Sequence, residues 1–193
     1  MEESLNTFHN SLETGLCLIS KPELLDPSFL MSVTLICDHN EEGSFGLVLN
    51  RQSTAYIDPK TYQLSEEFSE GYFSVNIGGP VQLESVFYLY RSPKAYGDSK
   101  LIKPNVYLGY SKDLLAELLT KISSDDIIFF IGYAGWSYYQ LDCEFSSGSW
   151  FSHHLDADFI FRRDKKNYWL DALSQIGPEF LDHGQSFFNK FDN

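Results

Sequence analysis

The stretch that decides the fold lies at residues 127–136 and reads Ile-Ile-Phe-Phe-Ile-Gly-Tyr-Ala-Gly-Trp. Its first five residues are apolar without polar alternation, so they predict a strand that is buried on both faces. Gly132 and Gly135 follow, and glycine lets a backbone turn tightly or approach another segment closely. Further on, Leu141 and Phe145 lie four residues apart, as in a short amphipathic helix. The sequence therefore predicts one unit of strand, glycine turn and helix.

Size and charge limit the classes of protein that this chain can belong to. Its length favours a single domain over residues 1–193, with residues 1–14 as an N-terminal helix or arm. The 16 Phe, 12 Tyr and 3 Trp can fill a bulky core. Acidic residues outnumber basic ones by 27 to 14, which gives a net charge of -13. Because binding to nucleic acid or to an anionic membrane depends on clustered Lys and Arg, both partners are disfavoured.

The clearest cationic cluster in the sequence lies at residues 162–166, which read Arg-Arg-Asp-Lys-Lys. It follows an apolar run and precedes an expected helix. We interpret it as a solvated connection between these two elements, and the alternative is a phosphate-binding patch.

The cysteines and the N-terminus indicate a cytoplasmic protein. Cys17, Cys37 and Cys143 are far apart, and two of them lie in predicted strands, which favours reduced thiols and no disulfides. Acidic residues flank Cys143, so we expect it to be inert. The chain starts with an acidic segment where a signal peptide is basic, and no segment approaches the ~20 apolar residues of a membrane span.

Turn signals divide the chain into short strands and helices. Residues 33–37 and 45–49 flank a polar loop and predict an antiparallel hairpin. We expect Ser111 to cap the clearest helix and Asp164 to cap a later one. Further expected elements are short helices after Asp26-Pro27 and Asp58-Pro59, strands at residues 16–20, 72–77, 85–90 and 159–161, a mobile loop from Arg91 to Pro104, and a tail that packs on the body. Because the strands come in hairpin-like pairs without a βαβ rhythm, we predict an α+β fold with a mixed, mainly antiparallel sheet.

The densest set of possible metal ligands is His153, His154, Asp156 and Asp158. On an extended strand the last three would share one face. Residues in a line do not converge on one ion, so we favour an exposed connection and expect no metal or cofactor. His39 could act as an acid or base, but no serine or cysteine nucleophile motif accompanies it, and no catalytic residue is predicted.

Taken together, the motifs resemble the bacterial YqgE/AlgH family along nearly the whole chain after residue 14. The resemblance rests on residues 25–33, 37–43, 46–51, 78–81 and 132–136, and on Gln140, Leu141, Glu144, Trp150, Leu155, Asp156, Trp169, Ala172, Leu173 and Gly177. It implies an α+β fold whose bifurcated sheet closes partly into a small barrel surrounded by helices. It implies no established reaction, and the association of the family with transcriptional regulation comes without a recognisable DNA-binding motif.

The leading hypothesis is a cytosolic, non-enzymatic binding or regulatory protein with a protein or small-molecule partner. Its recognition surface would combine glycine turns with polar and aromatic residues, namely Asn50, Arg51, Gly78, Gly79, Pro80, Tyr133, Gly135, Trp136 and Gln140. One alternative is a small-molecule or metal-dependent enzyme that uses His39 or the pair His154 and Asp156. The other is a transcriptional regulator that acts on DNA, which the net charge of -13 disfavours.

Overall fold

The computed structural model describes residues 12–57 and 73–191 of the chain. In these ranges the strands are β1 (Cys17–Ser20), β2 (Val33–Asn40), β3 (Gly43–Val48), β4 (Gln52–Ile57), β5 (Phe73–Ile77), β6 (Val81–Arg91), β7 (Lys100–Lys103), β8 (Val106–Gly109), β9 (Ile127–Ser137) and β10 (Trp150–His153). The helices are α1 (Lys112–Leu119), α2 (Gln140–Ser146), α3 (Ala157–Phe161), α4 (Tyr168–Ile176) and α5 (Pro178–Phe191). A 3₁₀ turn, Ser124–Asp126, precedes β9.

Strand β9 is the centre of the sheet, because three other strands pair with it. β6 runs antiparallel along one edge of β9 and leaves it at Tyr133. On the other edge, β5 runs parallel beside residues 129–131, and β3 then runs antiparallel beside residues 134–137. The sheet therefore forks at Gly132, with β5 and β4 on one branch and β3, β2, β1 and β10 on the other. The predicted α+β class with a bifurcated, mixed and mainly antiparallel sheet is confirmed.

The ladders of the described strands do not close into a barrel. The path across the sheet has β10 at one end and β7 at the other, an order that is compatible with a partly curled sheet. Helix α4 packs on β1 and β2, and α5 packs on α4. Of the helices in the described ranges, none combines the length and the apolar composition that crossing a membrane requires.

The connection between β5 and β6 crosses β9 at two glycines, Gly78 and Gly79. Because β5 and β6 pair with opposite edges of β9, residues 78–80 must pass from one edge to the other. Gly78 donates its N–H to the carbonyl of Ile131 at 2.9 Å. A Cβ added to Gly79 would lie 2.2 Å from the carbonyl carbon of Tyr133. No residue other than glycine permits two backbones to approach this closely.

The expected turn at Gly132 to Gly135 is wrong, because β9 continues as a strand to Ser137. Gly132 has a φ of 65°, a left-handed conformation that glycine adopts without steric cost. This residue bends the strand at the point where its partner changes from β5 to β3. The helix that was expected next is confirmed as α2, in which Leu141 is fully buried.

Both faces of β9 are covered, as the sequence predicts. Ile128 and Phe130 belong to a core that includes residues of β1, β2, β3 and helices α3 and α4. Ile127 and Phe129 lie in a second core with the leucines of α1. None of these four side chains is more than 8% exposed. The alternation of side chains along β9 thus links the two cores.

Several other predicted elements are confirmed. β2 and β3 form the antiparallel hairpin, and Ser111 caps α1 by accepting the N–H of Leu114 at 3.2 Å. A single helical turn closes at Asp26, whose carbonyl accepts the N–H of Leu30 at 2.8 Å. The tail forms α5 and packs on the body. The helix expected after Asp58-Pro59 and most of the expected N-terminal arm lie outside the described residues.

Three predicted elements are wrong. The strand expected at residues 159–161 is helix α3, because Asp156 caps it by accepting the N–H of Phe159 at 2.7 Å. The expected loop from Arg91 to Pro104 contains β7, which pairs with β8. Helix α4 begins after Asn167 rather than at Asp164, whose carboxylate accepts the N–H of Lys166 within the preceding connection.

The cysteines differ in their environment. Cys17 and Cys37 are buried, Cys143 is exposed, and all three thiols are free. Burial raises the pKa of the Cys17 thiol to about 12 and also raises the pKa of Cys37. Reactive thiolate is therefore suppressed at both core positions.

We predict that the crossing at Gly79 tolerates no side chain. Gly79→Ala should lower the free energy of unfolding by more than about 2 kcal/mol, because its Cβ would meet the β9 backbone. The matched control is Gly135→Ala, since an added Cβ there would meet the ring of Tyr133 at 3.0 Å and no backbone. Urea unfolding measures the free energy of unfolding of both variants. If both lose the same amount, the close approach of the two backbones at Gly79 is contradicted.

Candidate functional site

A cleft of about 440 Å³ lies on the outer face of β2, β3 and β9. The register aligns Asp38, Phe45 and Gly135 in one row across the three strands. Two residues further along, Asn40, Gly43 and Ser137 form the next row on the same face. Residues that lie opposite each other in paired strands point to the same face of the sheet. Because Gly43 and Gly135 carry no side chains, the middle of this face is depressed and forms the floor of the cleft.

Aromatic rings form one wall of the cleft. The rings of Phe45 and Tyr133 lie 4.8 Å apart, and Phe87 of β6 packs edge-on against Phe45 at 5.2 Å. All three rings are partly buried against the main core, which fixes their positions. Val81 continues this wall where β6 reaches β9. The wall therefore offers a rigid apolar surface to a ligand.

The other rim of the cleft is acidic. Asp38 and Glu42 line it, and the lining contains no Lys or Arg within the described ranges. Lys100 approaches Asp38 at 2.8 Å, but both side chains are about 40% exposed, so solvent screens this ion pair. Glu42 is exposed in the β2–β3 turn, where its N–H donates to Asn40. The rim thus presents the carboxylate of Glu42 and that of Asp38, whose charge Lys100 partly offsets.

One edge of β9 is unpaired beside the cleft. The ladder with β6 ends at Tyr133, so residues 134–137 pair with β3 alone among the described strands. Gly135 and Ser137 are exposed there. An unpaired strand edge can accept a further extended segment by backbone hydrogen bonds.

The opposite face of this end of β9 is held by a partly buried carboxylate network. Glu144 of α2 accepts the indole N–H of Trp136 and of Trp150, each at 3.0 Å, and the amide of Gln140 at 3.0 Å. Both indoles are less than 5% exposed. Gln140 also accepts the N–H of Ser137 at 3.1 Å. Trp136 and Gln140, two of the predicted recognition residues, thus brace the floor of the cleft from behind.

Asn50 and Arg51 hold the chain that packs on Trp136. Asn50 accepts the N–H of Val33 at 2.9 Å and donates to the carbonyl of Met31 at 2.8 Å. Arg51 donates to the carbonyls of Pro27 and Leu30 at 2.6 and 3.3 Å. The turn that they clamp carries Phe29, whose ring stacks on Trp136 at 5.7 Å. The donors of these two predicted site residues are therefore engaged inside the protein.

The predicted Gly78-Gly79-Pro80 segment lies at the crossing over β9. Gly78 and Gly79 are buried, and Pro80 is exposed. Since the N–H of Gly78 bonds to Ile131, it does not point to solvent as an anion nest requires. Of the nine predicted recognition residues, Tyr133, Gly135 and Trp136 line the cleft.

His39 lies on the α2 side of β2, opposite the cleft floor. Its Nδ1 is 2.8 Å from Oγ of Ser44, and its Nε2 is 4.0 Å from Oδ1 of Asp142. His39 therefore lies between a serine at hydrogen-bond distance and an aspartate at a longer, ion-pair distance, an arrangement that the sequence spacing did not indicate. The His39 side chain is 19% exposed.

The residues that were weighed as metal ligands do not converge. His154 approaches Glu13 at 3.2 Å, and the carboxylate of Asp156 caps α3. Asp158 pairs with Arg91 at 2.5 Å. The part of the chain that the structure describes contains no group of three His, Cys, Asp or Glu residues placed to hold a metal ion.

Comparison with known proteins adds a family to this geometry. A sequence model of AlgH-like proteins matches residues 17–181. This chain belongs to the AlgH-like family. A UPF0301 protein from Hahella chejuensis is 34% identical over 93% of this chain and 95% of the relative. A UPF0301 protein from Chlorobaculum tepidum is 32% identical over 88% of this chain and 89% of the relative.

Solved structures of similar proteins share the architecture of this AlgH-like chain. The solution structure of AlgH from Pseudomonas aeruginosa superposes with a TM-score of 0.70 at 27% identity, over 92% of this chain and 93% of that one. A crystal structure of a protein from Corynebacterium diphtheriae gives a TM-score of 0.75 at 20% identity, over 90% and 92% of the two chains, which shows the fold alone. The family resemblance that was predicted from the motifs is confirmed.

Sequence reasoning missed part of the cleft of this AlgH-like protein. Asp38, Glu42 and Phe45 line it, yet they were assigned to a polar loop and a buried strand. The alternation of Asp38 and Asn40 with His39 was the available signal, because in a strand it places the first two on one face.

We predict that Glu144 stabilises the cleft floor. Glu144→Ala should lower the free energy of unfolding by roughly 2–5 kcal/mol, because it leaves two buried indole N–H groups unpaired. Gln140→Ala is the matched control and should cost less than about 1 kcal/mol, since its bonds lie at the exposed surface. Urea unfolding followed by tryptophan fluorescence compares the two variants. If Gln140→Ala lowers the free energy of unfolding more than Glu144→Ala does, the stabilising role of Glu144 is contradicted.

Proposed function

We propose that this AlgH-like protein is a cytoplasmic, non-enzymatic binding protein that takes a basic, extended segment of a partner protein into the cleft of β2, β3 and β9. The observation that carries the proposal is the cleft itself, with a glycine floor, an aromatic wall and a carboxylate rim. Three free thiols, two of them buried, support the cytoplasmic assignment.

The charge of the cleft and of the whole chain favours a basic partner. The cleft lining holds two carboxylates without a Lys or Arg among the described residues, and the whole chain carries a net charge of -13. A basic segment is therefore drawn to this surface, while nucleic acid is repelled. The faces of Phe45 and Tyr133 attract Arg or Lys side chains and also bury apolar ones.

The shape of the cleft favours an extended segment. Gly135 lies on a strand edge that no described strand pairs with, while the N–H of Ser137 at the end of this edge is already bonded to Gln140. A segment added beside Gly135 would place alternate side chains on the face of the sheet that carries the cleft. A regulatory role would then act through a protein partner rather than through direct contact with DNA.

Peptide binding tests this function. A fluorescein-labelled peptide that alternates Arg with Phe should bind the wild-type protein, and its Glu-Phe counterpart should not. Gly135→Val should raise the Kd by at least about tenfold, because the valine side chain would occupy the floor of the cleft. The fold should be retained, because a β-branched residue suits a strand. Fluorescence anisotropy measures both effects.

A charge variant and its control complete this test. Asp38→Asn combined with Glu42→Gln should weaken binding and reduce its salt dependence. Glu179→Gln combined with Asp182→Asn makes the same charge change on α5 and should leave the Kd unchanged. Equal affinity for the Arg and Glu peptides, or a Kd that Gly135→Val does not change, would contradict the proposal.

The arrangement of His39 between Ser44 and Asp142 favours a second candidate function, acyl transfer. His39 accepts a hydrogen bond from a hydroxyl only as a neutral base, and a carboxylate beyond it can orient the ring. A fluorophosphonate probe should then label Ser44 by losing fluoride, with the hydroxyl proton passing to His39. Labelling that disappears in Ser44→Ala and His39→Ala would support this candidate. Its absence in the wild-type protein would exclude a reactive Ser44.

A further inference from the structure

A second cleft, distant in sequence from the first, lies between the β4–β5 pair and the connection from α3 to α4. Its inner part is a cavity of about 40 Å³, lined by Gln52, Asn76 and Lys165 among others. Its outer part is about 400 Å³ and shares Gln52, Arg163 and Lys165 with the inner one. Because a cavity needs roughly 10–15 Å³ to hold one water, the inner cavity has room for a small polyatomic ion.

The cleft concentrates cations of a strongly acidic chain. Lys165 and Lys166 have no carboxylate within ion-pair distance in the described ranges, whereas Arg163 pairs with Asp125 at 3.0 Å on the exposed side. Lys165 donates to the carbonyl of Ile160 at 3.3 Å. Burial, and then the nearby Arg162 and Arg163, lower the pKa of Lys165 to about 7. The ammonium therefore lacks the counter-charge that would stabilise it.

The negative groups near this cleft have partners of their own. Asp164 places one negative charge in the outer part, where its carboxylate accepts the N–H of Lys166, against the three cations Arg163, Lys165 and Lys166. Asp171 binds the guanidinium of Arg162 at 2.7 Å. The connection at residues 162–166 was interpreted as solvated, yet the structure folds Lys165 inward over the ring of Tyr168 at 4.0 Å.

The side chain of a largely buried asparagine lines the same cavity. Asn76 is 9% exposed, and its side chain makes no hydrogen bond within the described residues. The fully buried side-chain atoms without a partner are Oγ of Ser32 and Oγ1 of Thr34 among the described residues, so the Asn76 amide opens into the cavity and is available to a ligand. Asn76 lies opposite Gln52 in the β4–β5 ladder, and both side chains therefore point to one face. Two side-chain amides, the ammonium of Lys165 and the guanidinium of Arg163 thus line one space.

We propose that this cleft binds a phosphate group, either inorganic phosphate or the phosphate of a small metabolite. Asn76 and Gln52 donate N–H groups to it in the inner cavity, and Lys165 and Arg163 supply the positive charge. The outer part leaves room for an organic group attached to the phosphate. This site is separate from the cleft on β2, β3 and β9 in its residues and in its charge.

Thermal unfolding and calorimetry test the site with the full chain. About 10 mM sodium phosphate should raise the Tm of the wild-type protein by about 3 °C or more over sodium chloride of equal ionic strength. Lys165→Met should abolish this rise without lowering the Tm in chloride, because the variant removes a half-buried ammonium that lacks a counter-charge. Asn76→Val should also abolish it, and Lys190→Met on α5 should retain it.

The choice of anion decides the ligand class. Isothermal titration with inorganic phosphate, glycerol 3-phosphate and acetate should show binding of one or both phosphates and none of acetate. Binding of glycerol 3-phosphate shows that the outer cleft admits a phosphorylated metabolite, and binding of inorganic phosphate alone assigns the site to the free ion. The proposal is overturned if acetate produces the same Tm rise, if Lys165→Met and Asn76→Val both retain the rise, or if the wild-type protein shows no rise.

Discussion

The structure depends on one crossing of two backbones, where residues 78–80 pass over β9 beside Gly132. This crossing lets β5 and β6, which are consecutive in the chain, pair with opposite edges of the same strand. It also ends the β5 ladder, so β3 can take over that edge for residues 134–137. A side chain at Gly79 would separate the backbones, and both branches of the sheet would lose their common strand. The fork is therefore a consequence of glycine at the crossing.

The same crossing creates the candidate binding cleft. β6 leaves β9 at Tyr133, so the last residues of β9 have one open edge. Gly135 lies there without a side chain, and Phe45 and Tyr133, which also pack against the main core, form a wall beside it. Behind the floor, Glu144 fixes Trp136 to α2, while Asn50 and Arg51 fix the turn that packs on Trp136. The predicted recognition residues thus divide into a few that face the cleft and several that hold it in place.

The sequence predicts what local pattern controls. The apolar run at residues 127–131, the β2–β3 hairpin and the cap at Ser111 have unambiguous signals, and each is present. Residues 159–161 show the limit of this reasoning, because a short apolar run suits a strand or a helix and the cap at Asp156 decides between them. Neither cleft could be predicted, since each depends on registers that join distant segments, such as Asp38 with Gly135 or Asn76 with Lys165. Burial of Lys165 depends likewise on tertiary packing.

Native-state hydrogen exchange tests the central role of β9 most directly. Residues 129 and 130 lie between β5 and β6 and are covered on both faces, so their amides should exchange only through global unfolding. Amides of the end strands β7 and β10 should exchange faster, through local opening, because each pairs along one edge only among the described strands. If NMR shows residues 129 and 130 exchanging as fast as β7, the forked central strand does not organise this fold.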